Sequence, residues 1–143
     1  MGRTVYFSLI FLIFANIMVA QTIGQEDMDF ILRKVTVDNI SACEKEDTAK
    51  IMDTIHTQSP GYLQTKAFSD QLFPLFDLKY ELLNFRYLIT DGDFALARVT
   101  QKTTKVSGPA FQDNILDSIF VYKQENGKWK FWSQVMLTIK YIN

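Results

Sequence analysis

The sequence predicts an α+β fold in which three N-terminal helices pack on a strongly curved antiparallel sheet of about four long strands. Two observations support this prediction. Apolar residues recur at helical spacings up to residue 77 and alternate with a period of two from there onward. Tight-turn sequences, among them Asp91-Gly92 and Asn126-Gly127, divide the second part into strand-length segments. Helices followed by a meander of strands are typical of a layered α+β domain.

The helical part divides into three segments. Residues 27–44 carry apolar side chains at mixed spacings of three and four, which predicts a first helix. Asp47 is a favourable N-cap for a second helix over residues 48–56. A third helix is predicted over residues 63–76, where Pro74 kinks or ends it.

Four strands are predicted over residues 78–90, 93–106, 110–124 and 127–142. The last of them is much longer than the usual strand of about 5–6 residues. Since side chains alternate sides along a strand, one face of this strand is predicted to point toward the core. That face consists of Trp129, Phe131, Ser133, Val135, Leu137, Ile139 and Tyr141.

The first twenty residues have the layout of a secretory signal peptide. Arg3 is followed by an uncharged stretch from residue 5 to residue 20, and the sequence turns polar at Gln21. An uncleaved anchor is the alternative, but sixteen apolar residues fall short of the ~20 that a spanning helix needs. We therefore expect cleavage after Ala20, a flexible leader over residues 21–26, and one domain over residues 27–143. The mature protein is expected to be secreted or periplasmic, without stable membrane insertion.

The composition narrows the function classes. The chain has 143 residues, of which 48% are hydrophobic, and a formal net charge of −1, which gives no basic footprint for nucleic acid. Nucleotide and metalloprotease motifs are absent from the sequence. With one histidine and one cysteine, Cys43, a zinc site is not expected, and no cofactor is predicted. Cys43 is interpreted as a buried small residue, with an intermolecular disulfide or reactive thiol as the alternative.

Several segments carry a resemblance to a known family. These are residues 55–60, Asp91-Gly92-Asp93, residues 107–111 and residues 126–130. With them the chain resembles the nuclear-transport-factor-2-like superfamily, in its SnoaL-like branch, over residues 27–141. The resemblance implies a cone in which the sheet curls around the first helix and leaves a pocket at the wide end. It also implies a homodimer formed through the outer face of the sheet.

His56 and Asp53 are the candidate catalytic residues. His56 is the only side chain that titrates near neutral pH unperturbed, and Asp53 lies three residues earlier on the same predicted helical face. Together they suggest a general base oriented by a carboxylate. The alternative is a histidine favoured near a helix C-terminus by the helix dipole.

Candidate ligand-binding residues lie on the strands and near the third helix. Arg98 and Asp117 each interrupt an apolar strand face, which predicts either a structural ion pair or a polar anchor for a ligand. Tyr62, Tyr80 and Trp132 are candidate pocket walls, because these side chains combine apolar area with one polar group. Ordinary core or dimer contacts are the alternative for these aromatic residues.

The resemblance also bears on activity. In the ketosteroid isomerases of this superfamily, a tyrosine and an acid form the oxyanion hole and an aspartate is the base. In this sequence Asn39 stands near the tyrosine position and Tyr62-Leu63 near the base, so that mechanism is not expected. Asn39-Ile40-Ser41 also matches the glycosylation sequon, but it falls in a predicted helix.

Three functions remain open at this point. The first is an exported domain that binds a small apolar molecule or a protein partner in its pocket. The second is a cofactor-free lyase or isomerase that uses His56 and Asp53. The third is a structural homodimer module whose cavity is filled by its own side chains.

Overall fold

The computed structural model describes residues 24–142, so the predicted signal peptide and residues 21–23 of the leader lie outside the described residues. Three helices precede four strands, which confirms the predicted α+β class. The elements are α1 (Gln25–Glu44), α2 (Thr48–Thr54), α3 (Tyr62–Leu72), β1 (Asp77–Asp91), β2 (Phe94–Ser107), β3 (Asn114–Glu125) and β4 (Lys128–Tyr141). None of the described helices is long and apolar enough to span a membrane.

The strands form one antiparallel sheet in the order β1-β2-β3-β4. Both predicted hairpin turns are present, with positive φ at Gly92 (59°), Asn126 (52°) and Gly127 (75°). Register shifts interrupt β1 between Leu82 and Asn84 and again between Tyr87 and Ile89. Irregularities of this kind bend a strand and increase its twist, which accounts for a sheet that curves around α1.

The core lies between α1 and the concave face of the sheet. Met28 and Leu32 of α1 are buried against Ala97 and Val99 of β2 and Phe85 of β1. The small alanine of β2 allows the helix to approach the strand closely. Burial of this apolar stripe, rather than intrinsic helix propensity, holds α1 in place, because its Val35-Thr36-Val37 run is a poor helix former.

Several predicted boundaries are wrong for local reasons. α3 ends at Leu72 and not at residue 76, because Pro74 has no backbone N–H with which to continue the helical hydrogen bonds, although Phe73 before it still has helical φ and ψ. α2 ends at Thr54, since Ile55 is extended (φ −95°, ψ 136°) and pairs in parallel with Phe131. β3 begins at Asn114, after an irregular connection from residue 108 to residue 113.

The predicted core face of β4 is correct only for the first part of the strand. Trp129 is buried and Phe131 is half-buried, but Val135, Leu137 and Ile139 are exposed. Register shifts in the β3–β4 pairing break the strict alternation on which the prediction depended. Neighbouring Met136 is exposed as well, so this stretch of β4 is uncovered on both faces within residues 24–142.

Candidate functional site

The concave face of the sheet and the helices enclose two adjoining cavities of about 360 Å³ and about 260 Å³. Together we call them the cone cavity. Six residues line both parts and therefore define its centre: Asn39, Cys43, Phe68, Tyr80, Phe120 and Gln134. The cavity lies at the end of the cone that the resemblance predicts, between α1, α3 and the strands β3 and β4.

Aromatic rings form much of the cavity wall. Phe120 and Phe131 pack edge to face with their centroids 5.2 Å apart, which holds both rings in place. Ile51 and Ile55 add aliphatic surface from α2 and the segment after it. Phe68 of α3 also lines the cavity although it is 62% exposed, so it stands at the mouth.

The polar groups of the cavity are amides and hydroxyls. Gln134 donates from Nε2 to Ser118 Oγ at 2.9 Å, and Asn39 donates from Nδ2 to Thr54 Oγ1 at 2.8 Å. Because each amide nitrogen is engaged in this way, the side-chain carbonyl oxygens of Gln134 and Asn39 are oriented as acceptors. Thr54 in turn donates to Ile51 O at 2.6 Å, which fixes this part of the network to α2.

No residue that lines either part of the cone cavity is an Asp, Glu, Lys, Arg or His. Burial raises the pKa of Tyr80 to about 12, with smaller contributions from Cys43 and Glu46. Burial, followed by the charge of Glu44, raises the pKa of Cys43 to about 11. At neutral pH the phenol is therefore a hydrogen-bond donor and the thiol is a weak nucleophile. The cavity is therefore largely apolar, and its polar groups are uncharged.

Two of the three aromatic residues predicted as pocket walls line the cavity. Tyr80 and Trp132 line the cavity, whereas Tyr62 begins α3 and lies outside the cavity lining. Trp132 is shared with a neighbouring cluster, because its ring meets the His56 ring edge to face at 5.0 Å. Lys123 Nζ lies 4.4 Å from the centroid of the same indole.

His56 and Asp53 do not form the predicted pair. The His56 side chain is buried, its Nδ1 accepts from the Gln58 N–H at 3.0 Å, and Glu125 Oε1 lies 3.5 Å from the same nitrogen. Asp53 is exposed and lines a different groove. The prediction failed because α2 ends at Thr54, so His56 no longer shares a helical face with Asp53. Neither side chain lines the cone cavity.

Arg98 and Asp117 meet across β2 and β3, as predicted for adjacent strands. Arg98 donates from Nε to the two carboxylate oxygens of Asp117 at 3.0 Å and 3.1 Å. The hydrogen bonds and charge of the guanidinium lower the pKa of Asp117. Arg98 alternates along β2 with the buried Ala97 and Val99, so this ion pair lies on the outer face of the sheet. Neither side chain lines the cone cavity, so the pair does not form the expected anchor for a ligand there.

Most of the polar residues that line the cavity were not predicted from the sequence. Gln101 and Ser118 share strand faces with the buried Val99 and the cavity residue Phe120, and a polar residue within such a face was the available signal. Gln134 had no comparable signal, because in the alternating pattern of β4 it falls with other polar residues, among them Lys130 and Thr138. Asn39 was singled out through the family resemblance and as part of a glycosylation sequon, but not as a cavity residue.

Comparison with solved structures identifies the fold. A conserved protein from Planctomyces limnophilus superposes with a TM-score of 0.68 at 16% identity, covering 82% of this chain and 99% of its own. A protein of unknown function from Pseudomonas putida, described as NTF2-like, gives 0.63 at 12% identity, with 79% and 88% covered. A Streptomyces avermitilis protein described as a dehydratase of the NTF2-like family gives 0.64 at 15% identity, with 80% and 100% covered.

These similarities, with the cone of helices and curved sheet, show that the chain has the fold of nuclear-transport-factor-2-like proteins. A family model described as the C-terminal domain of the anti-sigma-I factor RsgI9 matches residues 34–142. The chain belongs to this family. A comparison with curated proteins gives no match.

Proposed function

We propose that this domain binds a small, uncharged and largely apolar molecule in the cone cavity. The observation that carries the proposal is the lining itself, in which aromatic and aliphatic walls surround neutral hydrogen-bonding groups without any charged side chain. Ligand sites in proteins are mostly apolar, with a few oriented polar groups that provide specificity. Here the carbonyl oxygens of Gln134 and Asn39 and the phenol of Tyr80 supply those groups.

The size of the cavity supports binding rather than a filled scaffold. Its larger part, about 360 Å³, falls within the range of roughly 300–1,000 Å³ that is usual for small-molecule pockets. A structural module whose cavity is filled by its own side chains would leave no such space. Phe120 and Phe131 line the cavity, but they do not close it.

The alternative of a lyase or isomerase that uses His56 and Asp53 has no support in the geometry. A general base must come within hydrogen-bonding reach of the proton that it removes, and neither side chain borders the cavity. Tyr80 and Cys43 do border it, but their raised pKa values keep both protonated near neutral pH. The family also takes its name from a domain of an anti-sigma factor, which is a regulatory rather than an enzymatic name.

Export and dimerisation belong to the same proposal. The apolar segment before residue 21 supports delivery of the domain outside the cytoplasm. The exposed side chains of Val135, Leu137 and Ile139 on the uncovered part of β4 support a homodimer formed through the sheet.

Binding can be tested with N-phenyl-1-naphthylamine, a neutral aromatic probe whose fluorescence rises in an apolar site. We expect saturable binding to the mature domain that Cys43→Phe weakens by about tenfold or more, because Cys43 lines both parts of the cavity. Cys43→Ala is the matched control, since it removes the thiol without filling space, and it should keep the affinity. Thermal melts establish that both variants are folded. Equal probe binding by folded Cys43→Phe and wild type would contradict the proposal.

A further inference from the structure

A second groove lies on the other side of α1, between α1, α2 and the β3–β4 hairpin, with a volume of about 1000 Å³. It shares no lining residue with the cone cavity. Its floor is apolar and consists of Phe30, Ile31, Val35, Ala42 and Trp129. Phe30 is 69% exposed, although it lines the same groove as the core residue Trp129. We call this feature the basic groove, because five lysines line it.

The rim of the groove is rich in lysine. Five lysines line it against only two acids, Asp38 and Asp53, although the whole chain has a net charge of −1. Two of the lysines come from α1 or its C-cap, one from α2, and two from the start of β4: Lys34, Lys45, Lys50, Lys128 and Lys130.

Two of these lysines are not neutralised by a neighbour. No carboxylate within residues 24–142 lies within 4.0 Å of Lys45 or Lys128. The remaining three are each held by an acid, namely Lys34 by Asp38 at 2.5 Å, Lys50 by Asp47 at 3.0 Å and Lys130 by Glu125 at 2.7 Å. The unpaired charges thus belong to opposite walls, one at the end of α1 and one on the hairpin.

The α1 residues of the groove form one continuous stripe. They recur at helical spacing from Phe30 to Lys45, a distance of about 22 Å at 1.5 Å per residue. This length accommodates about three to four turns of a bound helix, or a shorter extended segment. An apolar floor of this length between walls that each carry an unpaired cation favours a ligand that is itself amphipathic.

We propose that the basic groove binds an acidic, amphipathic peptide segment of a partner protein. Apolar side chains of the segment pack on Phe30, Val35 and Trp129, and its carboxylates pair with Lys45 and Lys128. A polyanion such as nucleic acid is disfavoured, because only two of the lysines that line the groove are unpaired within residues 24–142 and the rest of the chain carries a negative excess. A recessed apolar floor also fits a peptide better than the flat surface of a membrane.

The test is a selection from a display library of random 12-residue peptides against the mature domain. We expect enriched sequences that combine Asp or Glu with Leu, Ile, Phe or Trp. Fluorescence anisotropy of a labelled, enriched peptide should then show binding that Lys45→Glu and Lys128→Glu each weaken by about tenfold. Phe30→Ser should weaken it to a similar extent, since the apolar floor supplies most of the contact area. Lys140→Glu is the control, because it makes the same charge change on exposed β4, outside the groove.

A charge swap separates complementarity from damage to the fold. The double variant Lys45→Glu/Lys128→Glu should bind a version of the peptide in which the acids are replaced by lysine, and wild type should not. If Lys140→Glu weakened peptide binding as much as the groove variants do, the effect would come from the net charge of the domain and not from the groove, and the proposal would be overturned. It would also be overturned if the library gave no acidic peptides, or if the groove lysines governed binding to vesicles of anionic phospholipid instead.

Discussion

Thr36 of α1 and Tyr122 of β3 join the first helix to the sheet by a hydrogen bond of 2.7 Å between their hydroxyl groups. Both side chains are almost completely inaccessible to solvent. The Thr36 hydroxyl also lies 2.9 Å from the carbonyl of Leu32, to which it donates its only proton. Tyr122 must therefore be the donor of the shared bond. Burial raises the pKa of Tyr122, which keeps this donor protonated.

Removing the two partners of this bond should have unequal consequences. Tyr122→Phe leaves Thr36 with its bond to Leu32, so we expect a loss of about 1 kcal/mol in the free energy of unfolding. Thr36→Val leaves the buried phenol of Tyr122 without an acceptor, and a loss of about 2–3 kcal/mol follows. Urea unfolding monitored by circular dichroism gives both values. Equal losses, or the reverse order, would show that the bond is not directed as described.

Gly108, in the turn after β2, packs closely against the backbone of Leu75 and Phe76, which follow α3. Its φ is +117°, and a Cβ added there would lie 2.5 Å from the carbonyl oxygen of Leu75. Gly108→Ala therefore combines an unfavourable backbone conformation with a clash against backbone, and we expect a loss of about 3 kcal/mol or more. Gly92→Ala is the matched control, because Gly92 also has positive φ but has open space around it. That variant should lose only about 1–2 kcal/mol.

A melting temperature for each glycine variant, together with its urea midpoint, decides the comparison. If Gly108→Ala is no less stable than Gly92→Ala, the turn does not pack against residues 75 and 76 as described.

Glu125 ties the hairpin end of the sheet to the segment after α2. Its carboxylate accepts from Lys130 Nζ at 2.7 Å, from the Thr57 N–H at 3.0 Å and from the Thr57 hydroxyl. These hydrogen bonds, with that of Lys130 the largest, lower the pKa of Glu125 from 4.5 to about 2. The folded state therefore prefers the ionised carboxylate more strongly than the unfolded chain does.

The direction of the pH effect follows from that preference. The contribution of Glu125 to stability is fully present above its unfolded pKa of 4.5, and it is lost as the pH falls toward about 2. Wild type should be more stable than Glu125→Gln near neutral pH, and the difference should shrink between pH 4.5 and pH 2. Urea unfolding at several pH values checks this, with Glu26→Gln in the first turn of α1 as the control. A pH-independent difference would contradict the lowered pKa.

The fold was largely predictable because its signals are local. Asp91-Gly92 and Asn126-Gly127 each fix a tight turn through their own backbone preferences, and a change of apolar period marks where the helices give way to strands. Pro74 likewise signalled the end of α3, although not the residue at which the helix stops. Such features depend only on neighbours in the sequence.

The cavity was not predictable to the same degree, because its residues meet through long-range packing. His56 was placed on a helix by periodicity, but a single parallel pairing between Ile55 and Phe131 draws the chain away from helical geometry. Arg98 and Asp117 were correctly brought together, yet the side of the sheet on which they lie depends on where α1 packs. Alternation along a strand defines two faces but does not say which one is concave.

Substitutions of His56 can distinguish a role in stability from a role in ligand binding. The ring is buried, accepts the Gln58 N–H and packs edge to face on Trp132, so His56→Ala should lower the free energy of unfolding by about 2–3 kcal/mol. His56→Asn should recover part of this loss, because its amide oxygen can accept the same N–H. Asp53→Asn changes an exposed side chain and should alter stability by less than about 0.5 kcal/mol.

Ligand binding should respond differently from stability in these variants. At a temperature where all of them are folded, each should bind N-phenyl-1-naphthylamine with nearly the wild-type affinity, since neither residue lines the cone cavity. Fluorescence titrations alongside urea unfolding give both quantities for each variant. A stable His56→Asn protein that had lost the probe would place the histidine in the binding site and contradict its separation from the cone cavity. Retained affinity with lowered stability assigns His56 to the support of Trp132 at the edge of the cavity.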